Sequence, residues 1–208
     1  GVESLLDNLT ANGKGLKSGT ILFLCDNEQA YSLTDENIND DIDLLSIYFT
    51  HYQMNHAHRS VNSPNIRLLA SKIIEDPYQL DDQSSKDSFP KMIDQFNSFK
   101  DAKKQMVKDF LSLIRDKNSS LKGKDCILLI ESSLLTPENL EELIMNDCEA
   151  LTESNVTDTS NVLRYTSPLK YKGLEKESVA LIVREPTAIN QHEIYVGVTR
   201  AKSNLKIY

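Results

Sequence analysis

Several things are scarce in this sequence, and each scarcity narrows what the chain does. Cysteine is one: Cys25, Cys126 and Cys148 form an odd, scattered set without Cys-x-x-Cys spacing. That argues against a disulfide framework or a thiolate zinc site and favours a reducing compartment. No run of about 18 apolar residues occurs, so no helical membrane span is encoded. The opening residues GVESLLDN carry neither an initiator Met nor a charged-then-apolar signal pattern. The expectation is therefore a segment of a longer, cytoplasmic protein. Internal repeats and low-complexity stretches are missing. Positive charge is also in short supply: 23 Lys and Arg against 31 Asp and Glu give a net −8, which argues against general coating of nucleic acid. Finally, the 208 residues contain no Gly-x-x-x-x-Gly-Lys-Ser/Thr, and no apolar strand ends in an Asp-Glu pair. A phosphate-cradling loop with its lysine and the usual Mg²⁺ carboxylates have to come from elsewhere.

What is present reads as ordinary globular protein. Hydrophobic residues at 39% and charged residues at 26% suit one substantial domain, or one domain and a piece of another. The charge is unevenly spread. Residues 160–208 hold eight Lys or Arg against four Glu, a net +4, which leaves −12 for residues 1–159. An anionic ligand is expected to meet the last quarter of the chain.

Periodicity predicts an opening helix near 3–10, a strand at TILFL and a helix over 41–55. A further helix is expected at NIRLLASKII with Pro64 in its first turn, then a polar acidic loop over 77–89 and a short strand at KMIDQF. KDAKKQMVKDFLSLIRDK is amphipathic, with Ala102, Met106, Phe110, Leu111 and Ile114 on one face. DCILLIE reads as the best buried strand. The helix after it, 137–146, has Thr136 as N-cap and Pro137 at its first position. A polar loop over 147–160 is followed by strand NVLRYT, a turn at SPLKYKGLE, strand SVALIV, a helix over 190–202 and strand NLKIY. Strands alternating with helices, several of them wholly apolar, predict an α/β fold with a mainly parallel sheet.

Four segments carry potential chemistry: CDNEQ, HAHRS, KYKGLE and GVTRAK. Strand–turn–helix units place ligand loops at the C-terminal edge of a sheet, and the four are expected there. Each also has a plain structural reading. Asp26 to Gln29 make a polar turn after a strand, Arg59 enters a helix, Gly173 is a turn glycine, Glu175 a surface charge, and Arg200 a complement to a helix end. His56 and His58 stand without further ligands, so no metal site is expected.

Read in order, the four segments resemble the later motifs of superfamily 1 helicases of the UvrD type. Cys25-Asp26-Asn27-Glu28-Gln29 is similar to that family's Gly-Asp-x-x-Gln, with Cys in place of Gly. Ala57-His58-Arg59-Ser60 is similar to Asn-Tyr-Arg-Ser. Lys172-Gly173-Leu174-Glu175 matches Lys-Gly-Leu-Glu, and Tyr195-Val196-Gly197-Val198-Thr199-Arg200-Ala201-Lys202 matches Tyr-Val-Ala-x-Thr-Arg-Ala-Lys. The resemblance runs from about Thr20 to Tyr208. It implies a RecA-like three-layer α/β sandwich: residues 1–35 as the terminal piece of a first RecA-like domain, and 36–208 as the second. About 110 residues separate Arg59 from Lys172, too few for the large accessory domain of many relatives.

The same resemblance implies an ATP-dependent DNA helicase or translocase acting on single-stranded or partly duplex DNA. ATP and Mg²⁺ would be bound in a cleft shared with the N-terminal RecA-like domain. Arg200 and Arg59 would reach the γ-phosphate, Gln29 would sense it or the attacking water, and Glu175 would accept a ribose hydroxyl beside Gly173. The His found upstream of Lys-Gly-Leu-Glu in many relatives is absent. The alternative is a helicase-derived module that no longer hydrolyses anything and serves as an interaction or regulatory domain.

Overall fold

The computed structural model describes residues 63–75, 92–145, 148–187 and 189–208, all within a compact unit that spans Ala57–Tyr208. Its elements run α1 (Pro64–Glu75), α2 (Phe99–Arg115), β1 (Cys126–Ile130), α3 (Pro137–Met145), β2 (Cys148–Ala150), β3 (Leu163–Thr166), β4 (Lys176–Ile182), α4 (Gln191–Val198) and β5 (Ala201–Ile207). The five strands form one all-parallel sheet in the order β2-β3-β1-β4-β5. This is the predicted α/β fold with a parallel sheet. The calls on 3–10, TILFL, 41–55 and 77–89 fall outside the described residues.

The central strand β1 is apolar and buried throughout because both sheet faces are covered. On β1, Ile127 and Leu129 face a core with Leu69 and Ile73 of α1 and Ile194 and Val198 of α4. Cys126, Leu128 and Ile130 face the other core, with Met106, Phe110 and Ile114 of α2. The amphipathic stripe of α2 thus does what its spacing predicts. The helix begins at Ser98, whose hydroxyl accepts the Asp101 amide.

Four boundaries differ from expectation. The polar stretch expected over 147–160 opens with β2, a three-residue edge strand in which only Cys148 is buried. KMIDQF contributes a single bridge, Ile93 to Ile207, instead of a strand. The expected helix 190–202 stops at Val198. The last strand begins at Ala201, so Thr199 and Arg200 form a tight turn between helix and strand.

The connection after β1 runs through α3 toward β2, whereas that after β4 runs through α4 toward β5. The C-terminal ends of β1 and β4 therefore flank the point where the winding reverses.

Candidate functional site

The KYKGLE and TRAK segments do not lie at the C-terminal edge where they were expected. KYKGLE leads into β4 and TRAK leads into β5, so both sit at the N-terminal edge of the sheet. Parallel pairing then makes them neighbours. The Lys176 amide donates to the Arg200 carbonyl at 3.0 Å, closing the start of the β4–β5 ladder.

The first segment is a compact turn. The buried Tyr171 donates its amide to Ser167 and Pro168 carbonyls, and its hydroxyl reaches the Glu175 carbonyl at 3.4 Å. Burial pushes the Tyr171 phenol well above its usual range, so it stays a neutral donor. Gly173 has φ +87°, a left-handed conformation that glycine adopts without strain, and nothing lies within 4 Å of where a Cβ would be. The turn is thus open to solvent above Gly173.

Arg200 is the largest wholly buried side chain among the described residues. The resemblance implied that it reaches a phosphate, and here it is enclosed. Its Nε donates to the Val196 carbonyl at 2.9 Å, one terminal nitrogen to the Thr199 hydroxyl at 2.8 Å, and the other toward the Leu174 carbonyl at 3.4 Å. The guanidinium therefore sits at the negative end of α4 and braces the two motif turns together. A planar fork with several fixed donors suits this task, since each acceptor lies in a different direction.

Glu175 is half-exposed and bound at 2.7 Å to the ammonium of the exposed Lys202. Lys176 donates to the Lys124 carbonyl, and its burial lowers its proton affinity. Gly197 lets α4 approach β4: a Cβ there would stand 2.8 Å from a Leu181 methyl. The structure thus brings Gly173, Glu175, Arg200 and Lys202 to one edge. Gln29 and Arg59 lie outside the described residues. Ser63, four residues after Arg59, donates its hydroxyl to the Ser203 carbonyl at 3.0 Å, which anchors the start of α1 beside the same edge.

The opposite edge holds a cluster that sequence reading missed. Glu131, at the end of β1, is only 1% exposed. It accepts the Arg184 amide at 2.8 Å, the Arg184 guanidinium at 2.7 Å and the Ser133 hydroxyl at 2.7 Å, with the Asn190 amide at 3.3 Å. Burial alone raises a carboxyl, but these donors outweigh it and hold Glu131 below the usual range. Nearby, burial raises Glu193 despite the bonds that its carboxylate accepts from the Ser132 amide and hydroxyl. Glu131 and Arg184 occupy the winding reversal where such sheets commonly take ligands. A signal existed in sequence: Glu131 directly ends the most apolar strand. Beside this cluster a cavity of about 410 Å³ is lined by Asp94, Ser98, Arg184, Glu185 and Tyr208 among others. Among the described residues, no motif residue lines it.

Among the described residues no group of three His, Cys, Asp or Glu is placed to hold a metal ion, and no helix is long and apolar enough to cross a membrane.

Comparison with known proteins agrees with the resemblance at the level of the superfamily. The model of the viral superfamily 1 RNA helicase core domain matches residues 56–208. Among solved structures, the C-terminal domain of a possible DNA helicase from Lactobacillus plantarum WCFS1 is similar at 14% identity and a TM-score of 0.44, covering 73% of this chain and 86% of that one. No curated protein sequence matches.

Proposed function

The chain belongs to the viral superfamily 1 RNA helicase core domain family, and from that premise we propose that residues 57–208 form one wall of a nucleoside triphosphate site shared with a second RecA-like domain. The observation that carries this reading is the meeting of the two motif turns at one sheet edge, joined by the Lys176–Arg200 ladder bond and the Arg200 brace. Residues 1–35 would be the end of that second domain. The lysine-bearing phosphate loop and the Mg²⁺ carboxylates, which the 208 residues lack, would lie there too.

In this arrangement Glu175 and Gly173 form the ribose side. Glu175 presents a solvent-facing carboxylate, and the open turn at Gly173 admits a close approach to the backbone. A sugar hydroxyl is the natural donor to such a group. The phosphate side requires one change. Arg200 is enclosed, so it would reach a phosphate by exchanging bonds such as those to Leu174 or Thr199 for phosphate oxygens. Hydrolysis would then return Arg200 to its brace, so the nucleotide state would be coupled to the packing of both turns. Arg59 would act from the segment anchored by Ser63, and Gln29 from the other domain. The nucleic acid would be a single or partly duplex strand, DNA or RNA. A UvrD-type assignment and a cytoplasmic location belong to this same reading.

The complete wall burial of Arg200 gives the second reading its one specific support: a helicase-derived module in which the arginine is purely a brace. Steady-state ATP hydrolysis by the full-length protein, with and without single strands, separates the two. Turnover that needs Glu175 and Arg200 is the expected result. Full activity in Glu175→Ala would overturn the site, and absence of any turnover would favour the interaction module.

A further inference from the structure

Of the four lysines in α2, one is turned inward and three are not. Lys103 is buried, and its ammonium donates to the Asn139 carbonyl at 2.6 Å. Lys100, Lys104 and Lys108 are exposed, as is Arg115 at the end of the helix. Residues four apart stand one above another, about 6 Å apart along the axis, so these lysines form a row down the outer face. Arg115 continues the row two turns further on. The stretch 100–117 holds six Lys or Arg against three Asp, a net +3 inside the acidic part of the chain. Its carboxylates are engaged elsewhere. Asp101 accepts the Ser98 hydroxyl at 2.8 Å, Asp109 the Tyr208 hydroxyl at 2.9 Å and the Gln105 amide at 2.6 Å, and Asp116 the Asn118 amide at 2.9 Å. Among the described residues, neither these nor Glu138 and Glu141 of the neighbouring α3 form an ion pair with the row. Like charges at this spacing repel, so the row slightly weakens the fold that carries it.

We propose that the outer face of α2 is a docking surface for the phosphate backbone of a single nucleic-acid strand, held by charge alone. Two observations select this occupant. The cations are of one sign and evenly stepped, at a spacing comparable to the phosphate repeat of an extended strand. The face also lacks an apolar centre: the large apolar residues exposed among the described ones, Leu68, Leu174 and Ile189, all lie on other elements. A protein partner favours an aromatic or apolar centre and disfavours lysine, whereas a phosphate backbone needs only cations. Phe110, the one aromatic between Lys100 and Arg115, is buried, so no base is stacked and the strand is bound without regard to sequence. Because α2 covers the sheet face opposite α1 and α4, this contact is independent of the triphosphate reading.

The test uses the full-length protein and a labelled single-stranded oligothymidylate, with binding followed by fluorescence anisotropy across a salt series and no nucleoside triphosphate present. Lys100→Gln, Lys104→Gln and Lys108→Gln combined should lower the slope of log K against log salt by about 2, from roughly 0.7 for each lost contact. Binding at about 0.1 M salt should weaken at least 10-fold. The urea midpoint of this triple variant should stay equal or rise slightly, because repulsion is removed. Lys104→Gln alone should lower the slope by about 0.7, while Arg67→Gln, which takes an exposed cation from α1 on the opposite sheet face, should leave it unchanged. An unchanged slope in the triple variant, equal drops in Lys104→Gln and Arg67→Gln, or no strand binding by the wild-type protein would each overturn the proposal. Poly-glutamate is the second probe. If the triple variant loses it and keeps the strand, the face takes an acidic protein segment and the nucleic-acid assignment falls. With no triphosphate in the assay, failure of the nucleotide site leaves these outcomes untouched, so the two readings fail separately.

Discussion

The two edges of the sheet each hold an arginine and a carboxylate, arranged in opposite senses. At the N-terminal edge Arg200 is fully buried, while the neighbouring Glu175 side chain is 36% exposed. At the C-terminal edge Glu131 is buried, while the Arg184 side chain is 58% exposed. In both cases the buried member is surrounded by fixed partners, because an ionised group removed from water is tolerated only when its hydrogen bonds are met. The exposed member in each case keeps one face toward solvent. On the proposed reading the N-terminal edge offers its carboxylate to a hydroxyl; at the C-terminal edge the ion pair joins the ends of β1 and β4, and the start of α4 is tied to it through Asn190 to Glu131 and Glu193 to Ser132. Because α4 spans the sheet, with Gln191 also held by the Ile73 and Ile74 carbonyls, that tie fixes where its far end presents Arg200.

The largest effect is expected where the buried cation is altered. Arg200→Lys should destabilise the domain by about 2–4 kcal/mol in urea unfolding, since one ammonium cannot satisfy acceptors in three directions. On the proposed reading, ATP turnover by the full-length protein should also fall by roughly 10³-fold, the scale for losing an arginine finger. Wild-type stability in this variant would break the contrast between the edges.

The two glutamates of the C-terminal edge give a paired test by pH. Glu131 has a lowered proton affinity in the folded state, so its contribution is present above the free-glutamate value of about 4.3 and is lost as pH falls through its folded value. Glu131→Gln should cost about 2 kcal/mol at neutral pH and flatten the acid limb of the stability curve. Glu193 is shifted the other way: the folded state binds its proton more tightly, so ionisation there disfavours folding once pH rises above the free value. Glu193→Gln should be neutral or slightly stabilising at pH 7, since an amide oxygen can still accept from Ser132. Equal losses in both variants would show that the shifts do not govern the acid limb.

A smaller effect, about 1 kcal/mol, is expected for Gly173→Ala, where the strain is purely conformational because the space above it is empty. Its thermal midpoint should drop by a few degrees. A crystal structure of the variant should show the same turn or a locally rearranged one. An unchanged midpoint would mean that the turn at 171–174 is adaptable.

Much of this was legible in the chain. The stripe Ala102, Met106, Phe110 and Ile114 gave α2, because only a 3.6-residue period puts those groups on one face. CILLI was legible as a strand covered on both sides. Motif order pointed to Gly173, Glu175 and Arg200 together, and they lie at one edge of the sheet. The strand β2 was not legible, since two of its three residues are polar and exposed, and its pairing with β3 decides it.

The sequence by itself determined the periodicities, the parallel α/β class and the kinship of KGLE and TRAK with superfamily 1 helicases, because these depend on side-chain type and spacing along the chain. Tertiary structure alone decided which sheet edge the motifs share, that Arg200 is enclosed, that the helix stops at Val198, and that Lys202 meets Glu175. Those outcomes turn on strand register and on which charged group leaves water, and both depend on contacts far apart in sequence, such as Arg200 with Leu174 and Lys202 with Glu175, which no local pattern encodes.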